Sequence, residues 1–228
     1  MKVLLGVLMI LVAANFTSAQ PDDNPENWCR EGFFTGDAES YSVAAVAGKP
    51  NTRAYFYSDQ SADCPGGANC VTRVYVVPGD QVVVGRILGK FSCAWYTPKK
   101  GYATVGWIET GTLKPVVVNR EPKTSAWLGE WKYGDNQITF TENKLPGYLN
   151  VTGDASWVGR GEGNVNVGQL DGRFEPDKGS LNYSDGDGMY DCKASMRLLG
   201  NFLIVADNLK CGGMNVTFSG VYLRSKRY

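Results

Sequence analysis

Most of the chain consists of short segments in which apolar and polar residues alternate, and turn-forming residues separate them. In the first half the strand-like runs are 53–57, 73–77, 82–87, 91–96 and 104–108. Pro78-Gly79 between two of them favours a type II turn, because glycine readily adopts the positive φ of the third position. Segment 39–47 is compatible with one helical turn or a strand. This pattern predicts an all-β first half.

The second half repeats the same alternation about eight times. The predicted strands are 128–132, 137–141, 148–152, 164–174, 180–183, 192–198, 202–207 and 216–223. Glycine, asparagine and aspartate separate them at short, even intervals. Such spacing is typical of an up-and-down barrel or a two-sheet sandwich, and we expect an eight-stranded, disulfide-stabilised up-and-down β-barrel.

A polar, proline-containing segment lies between the two halves at 119–125. It follows the apolar run 116–118 and precedes Trp127. Segments of this composition are typical linkers between domains. We therefore expect one domain over 20–120 and a second over 124–228.

The N-terminus has the pattern of an export signal over 1–19. Lys2 precedes an apolar run over 3–14, and the small residues Thr17 and Ala19 occupy the positions that a signal peptidase recognises. The run is shorter than the roughly 20 residues of a membrane-spanning helix. The sequence predicts cleavage before Gln20, a periplasmic or secreted protein, and a mature chain without a membrane segment.

All six cysteines lie after this segment, and an even count in an exported protein predicts disulfides rather than a metal or redox site. Cys64 and Cys70 enclose a short loop with two glycines, and this pair is the clearest candidate. Cys29 with Cys93 would then tie the N-terminal arm to the first domain, although four cysteines allow three pairings. Across the later hairpin, we expect Cys192 to pair with Cys211.

Composition excludes several classes of function. The chain has no histidine, so Ser-His-Asp and Cys-His catalysis and histidine-ligated metals are excluded. Net charge is zero and no basic stripe is present, so we expect no nucleic-acid partner. The acidic segment 185–191 begins like a calcium loop, but Met189 and Tyr190 stand where a ligand and a glycine are needed, which favours a plain turn. No spacing of acids predicts a glycosidase pair. We expect no cofactor and no enzymatic activity.

Asn150-Val-Thr, Asn182-Tyr-Ser and Asn215-Val-Thr match the N-glycosylation pattern. Such triplets also arise by chance, and we expect all three asparagines to be unmodified.

Aromatic residues are abundant in the first half, more than a small barrel can enclose. One interpretation is core filling with ordinary exposure at the rim. The other is an exposed groove for a peptide or a glycan, since tyrosine and tryptophan bury a large area at low entropic cost. The binding residues that we predict for such a groove are Tyr55, Tyr57, Trp95 and Tyr96.

Four stretches of the first half carry a family resemblance. They are Ala54-Tyr-Phe-Tyr-Ser58, Tyr75-Val-Val-Pro-Gly-Asp80, Cys93-Ala-Trp-Tyr96 and Thr104-Val-Gly-Trp-Ile108. In this order they resemble a bacterial Src-homology-3-like (SH3-like) barrel over about 50–115, although the cysteines depart from the common pattern. The resemblance implies a wall-binding or protein-binding module.

The second half resembles small lipocalin-like or lysozyme-inhibitor-like barrels of exported bacterial proteins over 127–224. The motifs that carry the resemblance are Trp127-Leu-Gly-Glu-Trp131, Gly168-Gln-Leu-Asp-Gly172, Arg197-Leu-Leu-Gly200, Cys211-Gly-Gly-Met-Asn215 and Phe218-Ser-Gly-Val-Tyr222. Together the resemblances imply an exported, non-catalytic protein that binds a protein or a cell-wall glycopeptide in the bacterial envelope. An alternative is an inhibitor or immunity protein against a wall-degrading enzyme such as a lysozyme or amidase. A wall hydrolase has the weakest support.

Overall fold

The structure, a computed structural model, describes residues 28–34, 40–98, 102–161 and 163–225. The predicted signal segment, Glu162 and the loop 99–101 lie outside these residues. The described chain is all-β, as predicted, with fifteen strands in two antiparallel sheets. Three short 3₁₀ turns are fully described, at Ala68–Cys70, Thr110–Thr112 and Thr124–Ala126, and no helix in these ranges is long and apolar enough to cross a membrane.

The first sheet has seven strands in the order β3-β2-β6-β5-β4-β1-β7. Their bounds are β1 Ser42–Val46, β2 Ala54–Tyr57, β3 Val71–Val76, β4 Gln81–Leu88, β5 Phe91–Tyr96, β6 Thr104–Glu109 and β7 Leu113–Val116. The segment that was compatible with a helical turn or a strand is therefore a strand, β1. Its β-branched valines suit a pleated surface.

Both faces of this sheet are buried, and alternation along each strand decides which face a side chain joins. On β4, Val82 and Val84 join a core with Phe56 and Ile108, whereas Val83 between them points to the opposite face. The first core draws residues from both ends of the sheet, which shows that the sheet curls over its own inner face. Membership of the SH3-like family stays a prediction.

The second sheet is a nearly closed eight-stranded antiparallel barrel, which confirms the predicted architecture. Its order is β11-β10-β9-β8-β15-β14-β13-β12, so that the first strand of the barrel pairs with its last. The bounds are β8 Gly129–Tyr133, β9 Asn136–Glu142, β10 Leu149–Val158, β11 Val165–Phe174, β12 Ser180–Ser184, β13 Lys193–Leu199, β14 Phe202–Asp207 and β15 Gly220–Arg224.

The barrel has a seam between β11 and β12, which are consecutive in the chain but form no ladder with each other. The Tyr183 hydroxyl lies 3.2 Å from the Asp171 nitrogen and 3.4 Å from its carbonyl oxygen, across this seam. Farther along, Gly168 of β11 forms a bridge with Gly212. Segment 208–217 therefore covers part of the β11 edge.

Large side chains fill the inside of the barrel. Trp127, Trp131, Phe218 and Tyr222 have no exposed surface, and Phe140 is 1% exposed. They belong to one continuous core with the inward aliphatic residues. Interiors packed in this way derive stability from buried apolar area. Apolar side chains therefore pack the described interior of this barrel.

The barrel and the first sheet pack against each other through a shared apolar cluster. Phe202 and Ile204 face outward from the barrel and lie in the same cluster as Val83 and Trp95 of the sheet. Phe33 of the N-terminal arm joins the same cluster. We call this cluster the junction; the predicted domain boundary at 119–125 runs beside it and stays a prediction.

Three disulfides brace the fold, and no described cysteine is free. The structure joins Cys29 to Cys93, Cys64 to Cys70 and Cys192 to Cys211, with Cα–Cα distances of 5.3, 5.5 and 4.5 Å. These distances lie within the ordinary range for disulfides. Disulfides indicate an oxidising compartment outside the cytoplasm.

Candidate binding surface

The edge strand β3 is unusually exposed for a strand of mainly apolar residues. Val71 is 48%, Val74 46% and Tyr75 39% exposed, and only Val76 is buried. Exposed residues occupy both odd and even positions of β3, so both faces of this strand reach solvent. Within the described sheet β3 pairs only with β2, so one long side of the strand has no partner strand.

Natural edge strands usually carry protection, such as inward charges, proline or bulges. Here a bulge interrupts the pairing of β2 with β3 between Tyr55 and Tyr57. At this point the Val74 N–H bonds the Thr72 hydroxyl at 3.2 Å. Arg73 is the only charged residue on the strand. The edge thus carries one bulge and one charged residue, and its other residues are apolar or uncharged.

Two tyrosines and an arginine contact one another beside this edge. Tyr55 lies opposite Tyr75 across β2 and β3, with ring centroids 5.8 Å apart. The Arg53 guanidinium lies over the Tyr75 ring at 4.3 Å. A hydrogen bond with Tyr55 raises the pKa of Arg53, and the electrostatic interactions with Tyr75 and Tyr55 act in the same direction. We name Arg53, Tyr55, Val71, Val74 and Tyr75 the β3 edge surface.

A shallow cleft of about 150 Å³ adjoins the β3 edge surface, lined by Arg53, Tyr55, Tyr57, Glu109 and Thr112. Tyr57 is half-buried against Phe91, with ring centroids 4.9 Å apart. Partial burial and the negative charge of Glu109 raise the pKa of Tyr57, so this hydroxyl stays protonated and can donate a hydrogen bond at neutral pH.

The structure does not bring the four predicted binding residues into one groove. Tyr55 and Tyr57 line the same cleft, but Trp95 is only 5% exposed and lies in the junction. Its ring lies 5.2 Å from both Phe33 and Phe34 and 5.5 Å from Tyr133. The barrel and the N-terminal arm therefore cover Trp95.

Tyr96 lies on the opposite face of the sheet, half-buried against the inner core. Burial raises the pKa of its hydroxyl, and the charge of Asp80 and a hydrogen bond with it add to the effect. Tyr96 is therefore remote from Tyr55 by face as well as by strand.

Tyr75, Arg53 and the exposed valines of β3 were not among the predicted binding residues. The run Val-Thr-Arg-Val-Tyr-Val-Val over 71–77 contains a signal, because β-branched residues occupy both faces and only one charge interrupts them. Such a run reads as a buried strand unless its edge position is known.

A second exposed apolar area lies at one end of the barrel. Tyr190 is 74%, Leu209 69% and Met214 77% exposed, and they line an open groove of about 540 Å³. Acidic segment 185–191 lies beside it as a turn, in which the Gly188 N–H bonds the Asp191 carboxylate at 2.6 Å. In the described ranges, no group of three or more acidic or cysteine side chains could hold a metal ion.

Comparison with known proteins gives no relative. No protein family, no curated protein and no solved structure matches the chain. The β3 edge surface therefore has to be interpreted from its own geometry.

Proposed function

We propose that this is a secreted or periplasmic, non-enzymatic binding protein that takes an extended segment of a partner protein along the free edge of β3. The observation that carries the proposal is the unpaired, mainly apolar edge of β3, with Val71 and Val74 nearly half exposed. An added strand would supply hydrogen bonds to the unpaired side and contacts to alternate side chains, the mode known as β-augmentation.

The side chains around the edge indicate the partner's chemistry. Tyr55 and Tyr75 offer two ring surfaces with low entropic cost of ordering. Arg53 lies over the Tyr75 ring, Arg73 lies two residues before Tyr75 in β3, and both exposed side chains add positive charge. A complementary segment would carry apolar residues at alternate positions and at least one carboxylate. This combination favours a protein ligand over a neutral glycan.

The test is panning of a displayed library of random peptides on the intact, oxidised protein, followed by titration of a selected peptide. Val74→Lys places a charge on the edge, the device by which natural sheets block strand addition. We expect it to weaken the peptide at least tenfold, about 1.4 kcal/mol. Tyr75→Ala should weaken it by a similar factor.

Two exposed positions provide matched controls. Ile87 on β4 is 64% exposed and Tyr102 is 96% exposed, and both lie outside the β3 edge surface. Ile87→Lys and Tyr102→Ala should change the affinity by less than about twofold, since surface substitutions away from the contact are near neutral. Selected peptides that bind Val74→Lys as well as the parent would contradict the proposal.

The wall-directed functions remain predictions with their own assays. Retention on purified peptidoglycan sacculi tests glycopeptide binding. Lysozyme or amidase rates with added protein test inhibition, and a zymogram tests hydrolysis.

A further inference from the structure

The three Asn-X-Ser/Thr triplets of the barrel differ in the exposure and the hydrogen bonds of the asparagine side chain. Their asparagines are Asn150 on β10, Asn182 on β12 and Asn215 in the segment that covers the seam. An N-linked sugar is bulky, so a folded protein accommodates it only where the asparagine projects into solvent.

Asn182 meets this condition. It is exposed, whereas its neighbours Leu181 and Tyr183 are 1% and 3% exposed inside the barrel. By strand alternation Asn182 and Ser184 therefore share the outer face. The Asn182 side chain bonds no described residue, and it lines an open cleft of about 620 Å³ together with Ser184, Lys193 and Ser195.

Asn215 meets it as well. It is exposed, adopts a φ of 65°, and its side chain bonds no described residue. Asn215 forms one wall of the open groove lined by Tyr190, Leu209 and Met214, whose exposed fractions of 69–77% are otherwise unexplained. Large exposed apolar groups on one surface indicate a contact that covers them.

Asn150 does not meet it. Its amide N–H groups donate to the Glu142 carbonyl oxygen at 2.8 Å and to the Thr141 hydroxyl at 3.3 Å. Its carbonyl oxygen accepts from Asn143. A sugar on this nitrogen would replace one of the two N–H groups and would stand where Thr141 and Glu142 lie.

We propose that Asn182 and Asn215 carry N-linked oligosaccharides, that Asn150 does not, and that the sugar on Asn215 covers the apolar groove beside it. The donor is an oligosaccharide on a polyprenyl pyrophosphate, used by a transferase of the export pathway. The amide nitrogen forms a bond to C1 of the first sugar, the C1–O bond to pyrophosphate breaks, and the nitrogen loses one proton.

The apolar groove is suited to this occupant. A pyranose ring has an apolar face of C–H groups that packs on an aromatic ring, and Tyr190 lines the groove that begins at Asn215. Both acceptor sites lie on the barrel, whereas the β3 edge surface lies on the other sheet. The modification is thus independent of the proposed peptide binding.

The test maps modified asparagines in the full chain secreted by eukaryotic cells and in the protein isolated from its natural source. Treatment with peptide N-glycosidase in heavy-oxygen water converts each glycosylated asparagine to a labelled aspartate, which mass spectrometry locates. We expect label at Asn182 and Asn215 in both preparations. No label at these positions in the natural protein, or equal label at Asn150, would overturn the proposal.

Variants separate the sites and test the covering of the groove. Asn182→Gln and Asn215→Gly should each increase the gel mobility by the amount expected for loss of one oligosaccharide. Asn150→Gln should leave the gel mobility unchanged. Glycine suits the positive φ at 215, so loss of the sugar is not confounded by strain. Asn215→Gly should also bind more of a hydrophobic fluorescent dye than Asn182→Gln does; equal dye binding would refute the covering of the groove.

Discussion

Replacement of Trp95 by alanine should destabilise the protein strongly and leave the β3 edge surface intact. Trp95 is 5% exposed in the junction, in contact with three aromatic rings from the N-terminal arm and the barrel. Burial of about 200 Å² of such a side chain is worth about 5 kcal/mol at about 25 cal/mol per Å². Large-to-small core changes of this kind cost about 3–5 kcal/mol. We therefore expect Trp95→Ala to lose about 4 kcal/mol of unfolding free energy.

A second variant isolates packing from hydrogen bonding. The buried Nε1 of Trp95 has no hydrogen-bond partner among the described residues. An unpaired buried donor costs about 1–3 kcal/mol, so Trp95→Phe loses ring volume but also removes this penalty. We expect Trp95→Phe to lose at most about 1.5 kcal/mol of unfolding free energy, because removal of the unpaired donor offsets part of the cost of the smaller ring.

The assay is reversible unfolding in denaturant with the disulfides intact, followed by circular dichroism. Tyr102→Ala, at 96% exposure, is the control and should stay within about 0.5 kcal/mol of the parent. Under native conditions Trp95→Ala should still bind a peptide selected on the parent, whereas Tyr75→Ala should not. A near-neutral Trp95→Ala, or one that folds normally but loses peptide binding, would refute the burial of this residue in the junction.

Two further changes test other parts of the fold. Burial raises the pKa of Tyr41 to about 12, and its hydroxyl donates to the Phe33 carbonyl oxygen at 2.6 Å. Because the unfolded pKa is about 10, the contribution of Tyr41 is complete below pH 10 and is lost as pH rises from about 10 through about 12. Between about pH 10 and about pH 12 the unfolding free energy should fall less steeply with pH in Tyr41→Phe than in the parent. Equal slopes in the two proteins would contradict this role of Tyr41. Gly168→Ala would bring a Cβ to 2.3 Å from the Cys211 carbonyl oxygen. It should lower the free energy of unfolding by about 1–3 kcal/mol, as measured by thermal unfolding. In Gly111→Ala the new Cβ meets nothing within 4 Å, so an equal loss there would remove the steric explanation.

Alternation predicted most strands of both sheets, because it reports directly which side chains point to a core. The prediction from alternation was wrong at β10, where the predicted strand 148–152 stopped before Gly153. β10 continues through Gly153, whose missing side chain leaves room for Phe218 and Leu170; a Cβ would lie 3.1 Å and 3.2 Å from them. Packing inside the barrel, rather than local turn preference, explains this glycine.

A related reason explains why the four predicted binding residues do not line one groove. The sequence left Tyr55 and Tyr57 either as core residues or as residues of an exposed groove, because alternation gives the face of a side chain and not what covers that face. The cover over Trp95 includes Tyr133, and Val221 lies in the same cluster; both are distant in the chain. The exposure of β3 depends on sheet order, which local sequence does not encode.

The way in which the barrel closes has a consequence for its assembly. It consists of two four-strand meanders, β8–β11 and β12–β15, which form a ladder with each other only through β15 and β8. That ladder has two registered pairs, Leu223 with Lys132 and Arg224 with Trp131. β15 also gives Val221 to the junction. β15, a strand of five residues, thus pairs with both meanders and also contributes to the junction, so neither meander has all of its native neighbours until this one strand is in place.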